Sequence, residues 1–426
     1  MTLKAYVERI ERFEPMPGVT VYLDRRPGTG FVHAVGAIEA GSWRTRKDKL
    51  LYPTIMSELL DEGTKTRGRD ELRMSLETLG SDIRYDVSSQ FLFARIEMRR
   101  HAFDETVELV SDMLCNSKFS SASLASVKKR LLSVCEDEKE DTRSIAYAHM
   151  TRVLFESGSA LRSLLPSEKI SVLRKTSRKD IVLFAREVLR GPLVFTVVGD
   201  ISRAEVGRSI REHFKRWGSA PSIVPPLPVT YAHSRKKKVH SHVPSKENVD
   251  VFLGVAANVR VTDDEYVPLS VAAELLGSGG FTGHLMKTVR DRDGLTYGIY
   301  ARLRDVSSNY PLLFMISATF GNALVSKGVK RTLKEIRSWL KSHITERALA
   351  EKKREIAGSS IVSLQDPEEL AWKLMSTICA GNKPAYLHEY IQKVNALKAD
   401  DVRRVARRYL PLHAIAQSSA GSLAPK

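Results

Sequence analysis

The segment Leu285-Met286-Lys287-Thr288-Val289-Arg290-Asp291-Arg292-Asp293-Gly294-Leu295-Thr296-Tyr297 concentrates groups able to polarise a carbonyl. Arg290 closes a helical stretch, Gly294 permits a tight reversal, and Tyr297 stands just inside the next strand. A guanidinium and a phenol seven residues apart across such a corner can converge on one small space. Their N–H and O–H donors suit a peptide carbonyl or a developing oxyanion. The competing arrangement pairs Arg290 with Asp291 or Asp293 and sinks Tyr297 into a core. Just upstream, Gly277-Ser278-Gly279-Gly280-Phe281-Thr282-Gly283 is dense in glycine. No strand precedes it, so it does not fit a nucleotide-phosphate fingerprint. It reads as a flexible loop lining a cleft, with Gly277, Gly279 and Gly280 as substrate-contacting positions.

Other catalytic motifs are missing. The eleven histidines form no H-x-x-x-H, H-E-x-x-H or H-x-x-E-H, and there is no G-x-S-x-G elbow or phosphate loop. His240 and His242 make an H-x-H pair that alternates in a strand or lies in a linker, while His101, His149, His213 and His388 belong to polar helix faces. Cys115, Cys135 and Cys379 lack C-x-x-C spacing, which excludes a disulfide framework and a thiolate zinc site and points to a reducing, cytoplasmic compartment. No apolar run approaches the roughly 18 residues that span a bilayer, and no secretory h-region is expected. The formal charge is +17, from 67 Lys+Arg against 50 Asp+Glu. Those basic residues are spread along amphipathic helices with acids between them, and the run Arg235-Lys236-Lys237-Lys238 has no aromatic interleaving. A solvated field is therefore expected, with neither a nucleic acid nor a membrane as partner.

The elements that must position these groups come twice over the 426 residues. Met56-Ser57-Glu58-Leu59-Leu60 resembles Ala272-Ala273-Glu274-Leu275-Leu276 at an offset of 216, Lys129-Arg130 resembles Lys353-Arg354 at 224, and Asp180-Ile181 resembles Asp401-Val402 at 221. Three matches in the same order predict an internal duplication. Each copy begins with strands (18–23 and 32–38; 249–255), continues with helical periodicity (50–60 and 70–79; 266–276), and returns to strands (83–98; 295–303 and 311–318). Runs of strands and then of helices predict an α+β fold, with two homologous domains that each carry a mixed, mainly antiparallel sheet and helices packed on one face. The Pro-rich, basic segment 218–240 is expected to link domains 1–217 and 241–426.

These residues and the duplicated layout together resemble the pitrilysin/insulinase family of zinc metallopeptidases, the inverzincins, and within it the small bacterial members and the mitochondrial processing peptidase subunits. Gly18-Val19-Thr20-Val21-Tyr22 is similar to the family's first strand, Ala40-Gly41-Ser42-Trp43 to the signature after its second, and Leu59-Leu60-Asp61-Glu62-Gly63-Thr64 to the end of its active-site helix. Leu275-Leu276-Gly277, Arg290 through Tyr297, and Ile344-Thr345-Glu346 with Lys352-Lys353 and Gly358 resemble its later blocks.

The resemblance implies that H-x-x-E-H should fall on the first helix, where this chain has Thr54, Ser57 and Glu58. The third ligand position falls near Ser133 or Val134, with Glu136 close by. Such a set cannot hold catalytic zinc, so no cofactor is expected in this chain. Arg84-Tyr85 replaces the family's usual Asn-Ala at the substrate-pairing edge strand. Arg290 and Tyr297 match the family's carbonyl-stabilising pair. The implied function is a non-catalytic subunit of a heterodimeric zinc endopeptidase, acting on unfolded peptide with an H-x-x-E-H paralogue, or forming a homodimer without it. The alternative is an inactive pseudo-peptidase that binds peptides or assembles complexes.

Overall fold

The computed structural model describes residues 3–45, 48–218, 228–232, 238–278, 282–304 and 310–423. Gly279, Gly280, Pro225, Pro226 and Arg235-Lys236-Lys237 lie outside the described residues. Two compact units emerge. The first comprises Met1–Val134, Lys169–Leu227 and Ser360–Leu387, and the second Cys135–Glu168, Pro228–Ser359 and His388–Lys426. Neither is a contiguous half, so a cut at 218–240 does not describe them.

The first unit is built on a six-stranded sheet. Its strands are β1 (Glu11–Met16), β2 (Val19–Arg25), β3 (Phe31–Ile38), β4 (Asp82–Val87), β5 (Leu92–Arg99) and β6 (Leu193–Gly199), in the order β1-β2-β6-β3-β5-β4. The second has β7 (Lys238–His242), β8 (Asn248–Ala257), β9 (Ile299–Arg304), β10 (Leu312–Gly321) and β11 (Ala416–Gly421), in the order β7-β11-β8-β10-β9. In each, one parallel pair (β2 with β6, β7 with β11) is followed by antiparallel pairings across the rest of the sheet. The mixed, mainly antiparallel α+β design is therefore present twice, with β1 as an addition to the first copy. His240 and His242 belong to β7, so 238–240 is strand rather than linker.

Alternation along the strands splits the core into two faces. In β10, Leu312, Phe314, Ile316 and Phe320 join the main helical layer of the second unit. Leu313 and Met315 face the other way, against Ile145, Ala146 and Met150 of the Thr142–Leu154 helix. The first sheet repeats this plan. Ala34, Ile96, Phe195 and Val197 face the Phe103–Asn116 and Arg203–His213 helices. Val35, Ala37, Phe93 and Val198 pack on the Pro367–Cys379 helix. Leu370, Leu374 and Met375 of that helix are at most 1% exposed. At roughly 1.5–3 kcal/mol per fully buried apolar side chain, they fix it firmly. Each sheet thus has its main helical layer on one face, as expected, and on the other a single helix taken from the opposite half of the sequence.

The duplication extends to hydrogen bonds. Asp180 and Asp401 are both third residues of a helix, and each accepts a 3.0 Å bond from the capping backbone N–H, of Ser177 and Lys398 respectively. Lys353 Nζ donates to the Asn395 and Leu397 carbonyls at 2.9 and 2.6 Å, at the end of one helix. In the first unit, Lys128 rather than Lys129 does this work, bonding the Arg174 and Thr176 carbonyls at 3.2 and 2.8 Å. The register of that repeat is therefore one residue from the match seen in sequence.

β6 and β11 both end in glycine with positive φ, +153° at Gly199 and +141° at Gly421. A Cβ there would lie 2.3 Å from the Phe31 carbonyl oxygen and 2.7 Å from that of Asn248, at the starts of β3 and β8. Backbone strain and backbone overlap act together, so Gly199→Ala and Gly421→Ala should each cost on the order of 3 kcal/mol. Urea denaturation would show the loss, and midpoints equal to wild type would contradict it.

Candidate functional site

The zinc-motif positions sit on a short helix, Tyr52–Ser57, started by Pro53 and ended by Glu58. Ser57 is buried and its hydroxyl donates to the Thr54 carbonyl at 2.9 Å. Glu58 accepts a 2.6 Å bond from Arg130, whose guanidinium also stands 3.7 Å from Glu62. Glu62 in turn pairs with Arg69 at 3.5 Å. At the end of this helix the unit holds a guanidinium against two carboxylates. Thr54 and Glu58 stand where the two imidazoles would be, Ser57 stands in place of the general base, and the Glu58 carboxylate is already paired with Arg130. The donor set does not fit zinc, which takes three protein ligands and an open position. Downstream, Ser133 and Val134 are exposed and Glu136 pairs with Lys139. Among the described residues, one group could hold a metal ion, Asp104, Glu212 and His213. It shares no residue with the motif, and His213 Nε2 stands 3.4 Å from Asp104 in ion-pair geometry.

Arg84 and Tyr85 alternate on β4, the edge of the first sheet. Arg84 is largely exposed, pairs with Asp82 at 2.6 Å, and lines a polar cavity of about 400 Å³ with His33, Arg95, Glu97 and Trp372. Tyr85 points the other way. It packs with Leu72, Leu109 and Met113, and burial pushes its phenol well above its usual range. Only Arg84 of this pair faces that cavity.

Arg290 and Tyr297 are brought together. Arg290 lies in a segment wound as π-helix, Met286–Arg292, and Gly294, at φ +60°, turns the chain back by bonding its N–H to the Arg290 carbonyl at 2.9 Å. The Arg290 guanidinium carbon is 5.4 Å from the centre of the Tyr297 ring. Tyr297 is 88% exposed, so the core reading of this residue is excluded. Arg290 does form the ion pair with Asp291 that the competing arrangement called for, at 3.3 Å, while Asp293 pairs with Arg292 and Arg331.

A network that sequence reasoning missed fixes the corner. Glu335, buried on the Val325–Ser338 helix, takes Arg292 at 3.0 Å, Arg331 at 2.8 Å and His284 at 3.2 Å. Arg292 and Arg331 also hold Asp293. Thr296 closes the turn by donating to the Gly298 carbonyl at 3.0 Å and to that of Thr319. The signal was present as acid and base at i,i+4 in Arg331 and Glu335, but their partners lie about forty residues away. Gly277 has a packing reason of its own, since a Cβ there would lie 2.7 Å from the Ala301 amide nitrogen in β9. Its missing side chain allows close approach to a strand rather than loop flexibility.

The family model described as the Peptidase M16 inactive domain matches residues 177–356, which include this corner. Over that span the chain is similar to the M16 peptidase family. The non-peptidase homologue YmxG of Helicobacter pylori is 24% identical over 340 residues, which is 78% of this chain and 74% of that protein. The mitochondrial-processing peptidase subunit beta of Lentinula edodes is 23% identical over 422 residues, covering 92% and 86% of the two chains. The crystal structure of a peptidase M16 inactive domain from Pseudomonas fluorescens has a TM-score of 0.88 at 18% identity over 98% of each chain, which establishes a shared fold. No helix among the described residues is long and apolar enough to cross a membrane.

Asp293 is held down to about 2, chiefly by its hydrogen bonds from Arg292 and then Arg331. An unfolded aspartate titrates near about 3.9, so between these values the native chain binds fewer protons. The resulting stability is complete above about pH 4 and is lost as the pH falls toward 2. Asp293→Asn should flatten that limb of the stability–pH curve in urea titrations. A limb unchanged by the substitution would show that the corner does not depend on this carboxylate.

Proposed function

We propose that this chain is the non-catalytic subunit of a heterodimeric zinc endopeptidase. A paralogue carrying H-x-x-E-H holds the zinc and the general base. This chain contributes Arg290 and Tyr297 to the carbonyl of an unfolded peptide. One contrast carries the reading: the motif helix is closed by the Glu58–Arg130 pair, while Tyr297 stands exposed beside Arg290 on a corner fixed by Glu335. The relatives named as beta subunits of mitochondrial-processing peptidase support a subunit role.

In this reading zinc belongs to the partner, because Thr54, Ser57 and Glu58 supply no ligand set. The Arg290 guanidinium and the Tyr297 hydroxyl donate hydrogen bonds and transfer no proton. Both bonds strengthen as the carbonyl oxygen gains charge, so they act on the transition state more than on bound substrate. Arg84, at the exposed edge of the first unit's sheet, is a separate candidate for peptide contact. Tyr85 supports β4 from within. A second reading, peptide binding or complex assembly without cleavage, is favoured by the description of the Helicobacter pylori relative as a non-peptidase homologue.

Tyr297→Phe removes the hydroxyl and keeps the ring against Arg290. In the reconstituted complex it should lower kcat on the order of 100-fold, with KM changed far less. Arg290→Lys keeps the charge and loses the planar fork, so a comparable loss would show that geometry matters more than field. Near-normal kcat in both variants would overturn the catalytic role and leave the assembly reading.

A further inference from the structure

A cavity of about 260 Å³ opens on the first unit between the end of the Phe103–Asn116 helix, the Arg178–Val188 helix and the turn after the Arg203–His213 helix. Its floor is apolar and rigid. Leu114, Phe119 and Trp217 are all buried, and the Trp217 indole N–H donates to the Gly191 carbonyl at 2.9 Å. The rim carries Lys65, Lys118, Arg178, Arg186, Arg190 and Arg216, and no carboxylate among the described residues lines it.

Spacing builds part of this cluster. Arg178, Val182, Arg186 and Arg190 recur every four residues and so share one face of the helix and the turn beyond it. Like charges at that spacing repel, and other arginines of this chain sit against acids: Arg130 with Glu58, Arg152 with Glu168, Arg331 with Asp293 and Glu335. Here no acid among the described residues is supplied. Asp112, on the same helix as Leu114, is committed to Thr64, Thr66, Asn116 and Arg67 at 2.6, 2.7, 2.8 and 3.3 Å. Arg178 serves the wall, donating to the Phe119 and Lys118 carbonyls at 2.6 and 3.2 Å. It thereby holds Phe119 at φ +44°, a conformation costly for a side-chain-bearing residue. Lys65, Lys118, Arg186, Arg190 and Arg216 have no carboxylate in ion-pair contact among the described residues. Five cations thus ring a concavity whose wall includes the strained turn clamped by Arg178, an arrangement suited to negative charge.

We propose that this cavity binds a compact polyanion of the phosphate class, a di- or triphosphate either free or as the tail of a nucleotide. Guanidinium forks match phosphate oxygens in pairs, and the two lysines add point charge. The volume equals that of about nine water molecules, which suits a short phosphate chain and leaves a nucleoside outside. A single nucleic-acid strand would need an open basic track with exposed aromatic faces, whereas Phe119 and Trp217 lie buried in the floor.

Calorimetric titration of the full chain at constant ionic strength tests this. Sodium tripolyphosphate should bind at 1:1 stoichiometry, about tenfold or more tighter than inorganic phosphate or citrate. Arg186→Gln with Arg190→Gln should weaken it about tenfold or more at unchanged melting temperature, while Lys327→Gln with Lys330→Gln, exposed residues of the second unit, should leave it intact. ATP binding more tightly than tripolyphosphate would assign the nucleotide form, and the reverse order the free anion. Four results would overturn the proposal: no saturable heat, equal loss in both double variants, citrate binding more tightly than tripolyphosphate, or an oligonucleotide displacing tripolyphosphate through the same arginines.

Discussion

The Arg130 guanidinium, 2.6 Å from the Glu58 carboxylate and 3.7 Å from Glu62, determines what the first unit can do chemically. A metal ion entering here would have to displace a cation that is already hydrogen-bonded, and it would find a threonine hydroxyl and a paired carboxylate where imidazoles are needed. The exchange is physically economical. Two carboxylates close together repel, and Arg130 stands against both, with Arg69 also pairing with Glu62. The helix end that would have carried the chemistry becomes a structural ion-pair cluster. On the proposed reading, the nucleophile for hydrolysis comes from another chain.

The duplicated scaffold explains how one copy can change without disturbing the other. Each sheet closes its own core, caps its own helices through Asp180 or Asp401, and ends its equivalent strand on a glycine against neighbouring backbone. The copies share the arrangement and differ in what is mounted on it. In the second unit the diverged feature is the corner after the π-helix. There Glu335 binds Arg292, Arg331 and His284, so Asp293 is drawn to Arg292 and Arg331 rather than to Arg290. Arg290 stands beside Tyr297 and pairs with its exposed neighbour Asp291 at 3.3 Å.

Much of this was legible in the sequence, because strand alternation and the order of repeats are local signals. The two sheets, their helical layers and the Arg290–Tyr297 corner follow from spacing alone. The exchange of helices does not. The apolar faces of Thr142–Leu154 and Pro367–Cys379 say that each packs on a sheet, but not on which one. The Lys128–Lys353 equivalence was displaced by one residue, because adjacent lysines give no means of choosing which one reaches a helix end. Arg130 and Glu58 lie 72 residues apart, and Glu335 and Arg292 lie 43 apart, so neither partnership leaves a mark on the local pattern. Gly277 shows the same limit in another form. Its glycine density suggested mobility, and only the approach of β9 reveals that the absent Cβ is what matters.

The charge excess divides the same way. Most basic residues are answered by acids, as the mixed helices suggested, but the cavity beside Trp217 is lined by cations and by no described carboxylate. The central claim, that zinc and hydrolysis belong to a partner, is tested most directly by metal analysis. The isolated chain, its complex with an H-x-x-E-H paralogue, and the paralogue alone should be assayed side by side for bound zinc and peptide hydrolysis. The expected result is no stoichiometric zinc and no cleavage for the chain alone, with one zinc per heterodimer and full activity only in the complex. One equivalent of zinc in the isolated chain, together with chelator-sensitive cleavage, would contradict it.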